Sequence, residues 1–140
     1  ALCRRYAAAG ARIAATDLDA ARLEGLVADL RETGAEALAL PGDITDPAAC
    51  NAVVATTLEH FGALDGLINN AGISARSLLQ DTDPAVIRRV MEVNFFGAAN
   101  LTRVALAPVM ARKGFIVAVS SVAGFVAPLP DVSPRKPGSV

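Results

Sequence analysis

The sequence predicts an α/β domain built on an open sheet of parallel strands. Short apolar runs alternate along the 140 residues with longer segments of helical periodicity, and helix start and stop residues stand between them. Apolar residues make up 53% of the chain, enough to cover both faces of a sheet. Because strands separated by helices pair in parallel through crossovers, these observations favour one open α/β layer.

The first half of the chain supplies two strands and the helices beside them. Residues 1–10 have the character of the last part of a helix. An apolar run over residues 11–16 predicts the first strand, and a helix follows from about Asp19 to Thr33. A second apolar run, over residues 35–40, ends before a Pro-Gly-Asp turn.

The second half repeats the alternation with longer helices. A helix is predicted from residue 47 to 61, and a third apolar run covers residues 64–69. The longest helix is predicted over residues 84–113, with Asp83 as its N-cap and a proline at its first position. A fourth apolar run over residues 115–120 then leads to a serine pair.

Composition excludes several classes of function. The net charge is −1 with acids and bases interspersed, and the chain has one tyrosine and no tryptophan, so no nucleic-acid surface is predicted. The uncharged stretch 114–130 is shorter than the ~20 apolar residues of a spanning helix and is broken by glycines and prolines, so no membrane partner is predicted. Cys3 and Cys50 lack metal-ligand spacing, which predicts no metal site and fits a reducing cytoplasm.

Polar residues follow each predicted strand. They are Asp17, Asp43, Asn70 and the pair Ser120 and Ser121. Because the carboxyl ends of parallel strands meet at one edge, where such sheets bind ligands, the set predicts a site there. The alternative is that Asp and Asn at these positions serve turns and helix caps.

Four segments also carry a family resemblance. They are GDIT (42–45), LDGLINNAG (64–72), MEVNFFGA (91–98) and GFIVAVSSVAG (114–124). Asp43 to Asn70 is 27 residues, Asn70 to Asn94 is 24, and Asn94 to Ser121 is 27. In order and spacing the segments resemble the successive motifs of the short-chain dehydrogenase/reductase family, over residues 1 to about 130.

The resemblance implies a partial Rossmann-type, doubly wound parallel sheet over residues 1–130, with residues 131–140 as an irregular tail. It implies hydride transfer between the nicotinamide of NAD or NADP and a small-molecule alcohol or carbonyl substrate. Asp17 takes the acidic position that binds the adenosine ribose. Because a carboxylate repels a 2'-phosphate, NAD is favoured, with NADP possible.

The remaining site residues follow from the same resemblance. Asp43 and Ile44 are expected to line the adenine pocket, and three further residues are expected to hold the cofactor: Asn70, Ala71 and Gly72. Ser121 matches the catalytic serine that binds the substrate oxygen. Asn94 matches an asparagine that holds a water in a proton relay. The alternative for Asn94 is a bond to the backbone one turn earlier, or a solvated polar face.

Two departures from the family predict an inactive fragment. The glycine-rich TGxxxGxG turn is not seen ahead of Ala1, and with it goes a strand expected between those ending at Asp17 and Asn70, leaving two strands with unpaired edges. Where the family has Tyr-x-x-x-Lys, Pro134 and Arg135 stand 13 and 14 residues past Ser121. Arginine stays protonated at any working pH and cannot replace that tyrosine as proton donor and acceptor.

The long helix predicts a partner. From Val93 to Met110 it is apolar on nearly every side, more than one sheet face can cover. The resemblance implies pairing of the 84–113 helix with its copy in a homo-oligomer. The alternatives are burial beneath a missing C-terminal half, or a non-enzymatic role in which this chain docks on full-length subunits through that helix.

Overall fold

The computed structural model describes residues 1–75 and 77–121. Its strands are β1 (Ile13–Ala15), β2 (Ala37–Ala39), β3 (Gly66–Asn69) and β4 (Phe115–Ala118). Its helices are α1 (Leu2–Ala8), α2 (Ala20–Glu32), α3 (Pro47–Phe61), α4 (Pro84–Met91) and α5 (Ala98–Ala111), with a short 3-10 turn at Leu79–Asp81. The α/β class and the predicted order of strands and helices are confirmed, and the predicted tail 131–140 lies outside the described residues.

Aspartates cap the starts of three helices, and for Asp83 this confirms the N-cap that the sequence predicts. The carboxylates of Asp19, Asp46 and Asp83 accept hydrogen bonds from backbone N–H groups of the first turns of α2, α3 and α4. Proline occupies the first position of α3 and of α4, where its missing N–H removes no intrahelical bond. Local capping chemistry therefore fixes where these helices start.

The four strands form two separate parallel pairs. Ile13 is in register with Ala37 in the β1–β2 pair, and Gly66 is in register with Phe115 in the β3–β4 pair. Within the described residues β1 pairs with β2 alone and β3 with β4 alone. The single continuous sheet expected from the alternation is thus replaced by two pairs, which agrees with the predicted unpaired strand edges.

Two apolar clusters hold these layers together. One lies between α3, α5 and β3, and its buried members are Cys50, Val54, Leu101, Ala105 and Val109. The other joins α1 and α2 to the β1–β2 pair, and its buried members are Val27, Leu30 and Ala37. Each pair of strands therefore packs against helices through its own apolar cluster.

Helix α3 links the two pairs of strands. Near its end, the Phe61 ring lies 5.1 Å below the guanidinium carbon of Arg12, just before β1. Near its start, a Cβ built on Gly42 would lie 3.5 Å from the Cβ of Ala49, beside the end of β2. The helix thus runs back from the end of β2 to the start of β1, and Val54 near its middle packs with α5.

The long helix contains a feature that periodicity does not predict. Residues 92–97 form a π-helical segment between α4 and α5, and the helix ends at Ala111 with Pro108 inside it. A π-segment widens the helix by one residue and turns the following side chains. Among the described residues, no helix has the length and apolarity that a membrane crossing requires.

Candidate functional site

The carboxyl ends of β1 and β2 bring two predicted site residues together. The backbone N–H of Gly42 donates to the carbonyl of Asp17 at 3.1 Å, extending the strand pairing beyond both strands. Asp17 is exposed, and one of its carboxylate oxygens accepts from the N–H of Asp19 at 3.1 Å. Asp17 therefore lies at the sheet edge, paired with the residue that directly precedes Asp43 in the chain.

Asp43 organises the turn that follows β2. One carboxylate oxygen accepts from the Thr45 N–H at 2.8 Å and from the Thr45 hydroxyl at 2.7 Å. The other oxygen lies 3.7 Å from a guanidinium nitrogen of Arg89 in α4. These Thr45 hydrogen bonds, and secondarily the Arg89 charge, lower the pKa of the Asp43 carboxyl below its ordinary value, against the opposing effect of burial.

Replacing Thr45 with valine is expected to raise the pKa of Asp43 toward its ordinary value, because the hydroxyl donor is lost. A lowered folded-state pKa gives stability that is present above the unfolded pKa and is lost as the pH falls through the folded value. Thr45→Val should therefore be less stable than the native chain at neutral pH, with the difference shrinking in acid.

Carbon-13 NMR of the Asp43 carboxyl across a pH titration measures this shift, with chemical unfolding at each pH. Thr56→Val serves as the control, since Thr56 is an exposed threonine of α3. An Asp43 pKa that is the same in the native chain and in Thr45→Val would contradict the assignment of the shift to this hydroxyl.

Ile44 turns toward the protein rather than toward open solvent. Its side chain is half-buried and packs against the cluster around Cys50, whose thiol donates to the Ile44 carbonyl at 3.2 Å. A Cβ on Gly97 would lie 2.7 Å from both the Cδ1 and Cγ1 atoms of Ile44. The π-segment thus receives the Ile44 side chain, and contact of that side chain with adenine stays a prediction.

Asn94 joins the π-segment to the loop after β3. Its side-chain oxygen accepts from the Ile73 N–H at 2.8 Å, and its side-chain nitrogen donates to the Ile73 carbonyl at 2.9 Å. A Cβ on Gly72 would lie 3.4 Å from that same oxygen, so a larger residue there would press on the contact. The side chain therefore bonds the backbone of Ile73 instead of the backbone one turn earlier, while Asn94 itself is exposed, and its place in a proton relay stays a prediction.

The β3–β4 pair places the remaining site residues at one edge. The N–H of Val119 donates to the carbonyl of Asn69 at 2.8 Å, so pairing continues to the last residue of β3. Immediately beyond it lies the exposed loop 70–72, and Ser120 and Ser121 follow the end of the neighbouring strand β4. The structure thus brings the predicted cofactor loop and the predicted catalytic serine to the same end of these two strands.

Some contributors to the site were not predicted from the sequence. Asn69 donates from its side chain to the Thr102 hydroxyl at 2.9 Å, which fixes the end of β3 on α5. The local sequence does not predict the contact of Arg89 with Asp43, because Arg89 is one of two adjacent arginines on an exposed helix. The contact at Gly97 could have been predicted, since glycine is unfavourable inside a long helix and indicates a close approach of another group.

A cavity of about 470 Å³ lies elsewhere, between the ends of α1 and α2. Its lining includes Gly10, Arg12 and Gly34 and none of the predicted site residues. Because it opens at the amino ends of β1 and β2, it is separate from the edge where the predicted site residues gather.

Comparison with known proteins gives consistent matches. The family model described as short chain dehydrogenase matches residues 1–133. Dehydrogenase/reductase SDR family member 7B of Bos taurus is 41% identical over 129 residues, covering 86% of this chain and 39% of the relative. The 2-(S)-hydroxypropyl-CoM dehydrogenase 3 of Xanthobacter autotrophicus is 39% identical over 118 residues, covering 84% of this chain and 46% of the relative.

A solved structure shows the same fold. The short chain dehydrogenase/reductase SDR from Burkholderia phymatum, in complex with NAD, matches with a TM-score of 0.86 and 30% sequence identity. The match covers 90% of this chain and 46% of that one. The chain therefore spans less than half the length of each of these similar proteins.

Proposed function

Because the chain belongs to the short-chain dehydrogenase/reductase family, we propose that it forms the cofactor-binding part of an NAD(P)-dependent oxidoreductase. The reaction is hydride transfer between the nicotinamide and an alcohol or carbonyl carbon of a small molecule. One observation carries the proposal: the segments that follow β1, β2 and β3 contact one another or the long helix. Gly42 bonds Asp17 and Asn94 bonds Ile73, while Arg89 lies near Asp43 and Gly97 lies against Ile44. A nicotinamide cofactor held at that edge would donate the hydride in its reduced form or accept it in its oxidised form, and the chain's own residues would hold it.

The residues at this edge fit a dinucleotide. Asp17 presents an exposed carboxylate suited to the two hydroxyls of an adenosine ribose. The second carboxylate oxygen of Asp43 makes no bond with Thr45 and lies 3.7 Å from Arg89, and we propose that it accepts from the amino group of the adenine. The small residues Ala71 and Gly72 are exposed, which lets a ligand approach the backbone.

We expect the chain to bind NAD more tightly than NADP, by roughly 5- to 10-fold, because the Asp17 carboxylate repels the 2'-phosphate. Saturation-transfer NMR of the 140-residue chain with each cofactor measures the two affinities. In Asp17→Asn the preference should fall toward equality, since the side-chain size stays and the charge goes.

Glu24→Gln is the matched control, because it removes an exposed carboxylate from α2, away from the edge. Equal binding of the two cofactors by the native chain would contradict the role of Asp17. Absence of saturation transfer from the chain to either cofactor would contradict the cofactor-binding proposal itself.

Ser121 is proposed to donate a hydrogen bond to the substrate oxygen as charge develops on it. This chain is proposed to be inactive by itself, because Pro134 and Arg135 stand where the family's tyrosine is expected. General acid-base catalysis is typically worth about 10²- to 10⁴-fold in rate. Reduction of a ketone by NADH at an enzymatic rate with this chain would contradict the inactivity.

A second candidate function is docking on full-length subunits through the long helix. Ile87, Met91 and Phe95 recur at four-residue spacing and are 41%, 46% and 58% exposed, forming an apolar stripe. In the oxidoreductase this stripe is proposed to contact a second copy in a homo-oligomer. Size measurements of the chain alone and mixed with a full-length relative distinguish a homo-oligomer from a mixed complex.

The compartment is proposed to be the cytoplasm. Among the described residues Cys3 and Cys50 are free thiols, and Cys50 is buried, where burial raises its pKa. Localisation of a tagged chain by cell fractionation tests this placement.

A further inference from the structure

The guanidinium of Arg89 and the carboxylate of Asp43 lie side by side at the edge of the proposed cofactor site. One carboxylate oxygen of Asp43 accepts two hydrogen bonds from Thr45, which fixes the direction of the carboxylate. The other oxygen is 3.7 Å from a guanidinium nitrogen of Arg89, longer than a hydrogen bond. The side chains of Arg89 and Asp43 are 50% and 34% exposed, so a ligand can reach both groups.

The two side chains present a hydrogen-bond acceptor beside a hydrogen-bond donor. Adenine presents the matching pattern on one edge, where its amino group donates and its ring nitrogen N7 accepts. The ring nitrogen N1, on the other side of the amino group, also accepts, but N7 lies farther from the amino nitrogen because it belongs to the five-membered ring. The 3.7 Å spacing of the Asp43 and Arg89 atoms suits the wider separation, that of the amino group and N7.

The charge of Arg89 also suits a ligand that carries phosphates. The edge holds two carboxylates, since Asp17 at the end of β1 is paired through its backbone with the residue before Asp43. Within residues 1–75 and 77–121, Arg89 is the cation that forms an ion pair with either of them. It therefore reduces the repulsion that the two carboxylates would exert on the pyrophosphate of a dinucleotide.

We propose that Arg89 is a specificity-determining residue that donates a hydrogen bond to N7 of the cofactor's adenine, while Asp43 accepts from the adenine amino group. The inference rests on the proposed function, because it concerns how the same site selects its nucleotide. A donor and an acceptor held side by side fix the orientation of the base as well as its identity. Hypoxanthine, which has an oxygen in place of the amino group, would turn an acceptor toward the Asp43 carboxylate and bind more weakly.

Adenosine 5'-monophosphate (AMP) and its 7-deaza analogue test the role of Arg89, because the analogue has a C–H group in place of N7 and keeps the amino group. We expect the 140-residue chain to bind AMP about five- to tenfold more tightly than the analogue, the effect of one hydrogen bond from a charged donor at an exposed site. Arg89→Met should bind both nucleotides equally, and AMP about as weakly as the native chain binds the analogue. Saturation-transfer NMR measures the dissociation constants.

Two controls make the test specific. Arg88→Met removes the same charge from the preceding, exposed position of α4, which is not part of the pair with Asp43, so it should keep the preference for AMP. Methionine is as good a helix former as arginine, so α4 is retained in both variants. Inosine 5'-monophosphate keeps N7 and has an oxygen in place of the amino group. The native chain and Arg89→Met should both bind it more weakly than AMP, because Asp43 is present in each.

Equal binding of AMP and the 7-deaza analogue by the native chain would overturn the inference and leave the proposed function standing. An unchanged preference for AMP in Arg89→Met would do the same, and an equal loss in Arg88→Met would assign the effect to charge alone. If Arg89→Met no longer distinguishes AMP from inosine 5'-monophosphate, the arginine acts through Asp43 and not at N7. Absence of binding of all three nucleotides by the native chain would contradict the cofactor site itself, and the inference with it.

Discussion

Replacing Gly114 with alanine is expected to destabilise the chain by about 3 kcal/mol or more. A Cβ at this position would collide with the carbonyl oxygen of Asp65, and it would lie 2.8 Å from that carbonyl carbon and 3.2 Å from Val109 Cγ1. Asp65 presents backbone atoms, which cannot rotate away as a flexible side chain can. The collision falls where the Phe115 N–H donates to the Asp65 carbonyl, at the first pairing of β4 with β3.

Urea or thermal unfolding of Gly114→Ala measures this loss. Gly25→Ala is the matched control, because a Cβ on Gly25 meets nothing within 4 Å and Gly25 lies inside α2. That change should stabilise the chain by about 0.5–1 kcal/mol, since glycine is unfavourable inside a helix. Gly114→Ala unfolding at the same urea concentration as the native chain would contradict the close strand approach.

The loss of strand pairing expected in Gly114→Ala should also affect the proposed site. The β3–β4 pairing brings the 70–72 loop and Ser121 to one edge, so a variant that separates the strands at Gly114 also separates these residues. The N–H of Ile73, which binds Asn94, should then exchange faster. A stability loss that leaves this amide unchanged would show that the loop is held from the long helix alone.

Helix starts could be predicted from the sequence because capping is local. Asp46 followed by Pro47, and Asp83 followed by Pro84, each carry an N-cap acceptor and a residue that suits the first turn. The strands could be located from their apolar runs, but each strand in the structure is shorter than the run that predicted it. The ends of each run extend past the paired residues into loops.

The π-segment could not be predicted, because its causes are distant in sequence. Asn94 binds the backbone of Ile73, 21 residues earlier, and Gly97 receives Ile44 from the loop after β2. Helical periodicity contains neither contact. The placement of site residues at one edge was predictable, since the carboxyl ends of parallel strands lie at the same edge of a sheet. The Arg89 charge beside Asp43 was not, because it depends on how α4 packs on the rest of the protein.

Gly97→Ala is expected to destabilise the chain by about 1–2 kcal/mol, although alanine is the better helix former. The added Cβ would lie 2.7 Å from Cδ1 and Cγ1 of Ile44 and 3.4 Å from the Glu92 carbonyl oxygen. The Ile44 side chain is the part that can move. Its displacement should shift the amide NMR signals of Asp43 and Thr45, which share its turn.

A double-mutant cycle with Ile44→Ala separates this contact from a general effect on the helix. Ile44→Ala removes the atoms that the new Cβ would meet, so in that background Gly97→Ala should become neutral or stabilising, by up to about 1 kcal/mol. The sign reversal follows because only the helix-propensity gain remains. If the changes in unfolding free energy of the two substitutions are instead additive, Ile44 does not fill the space beside Gly97. The turn that carries Asp43 would then not be held by contact with the π-segment.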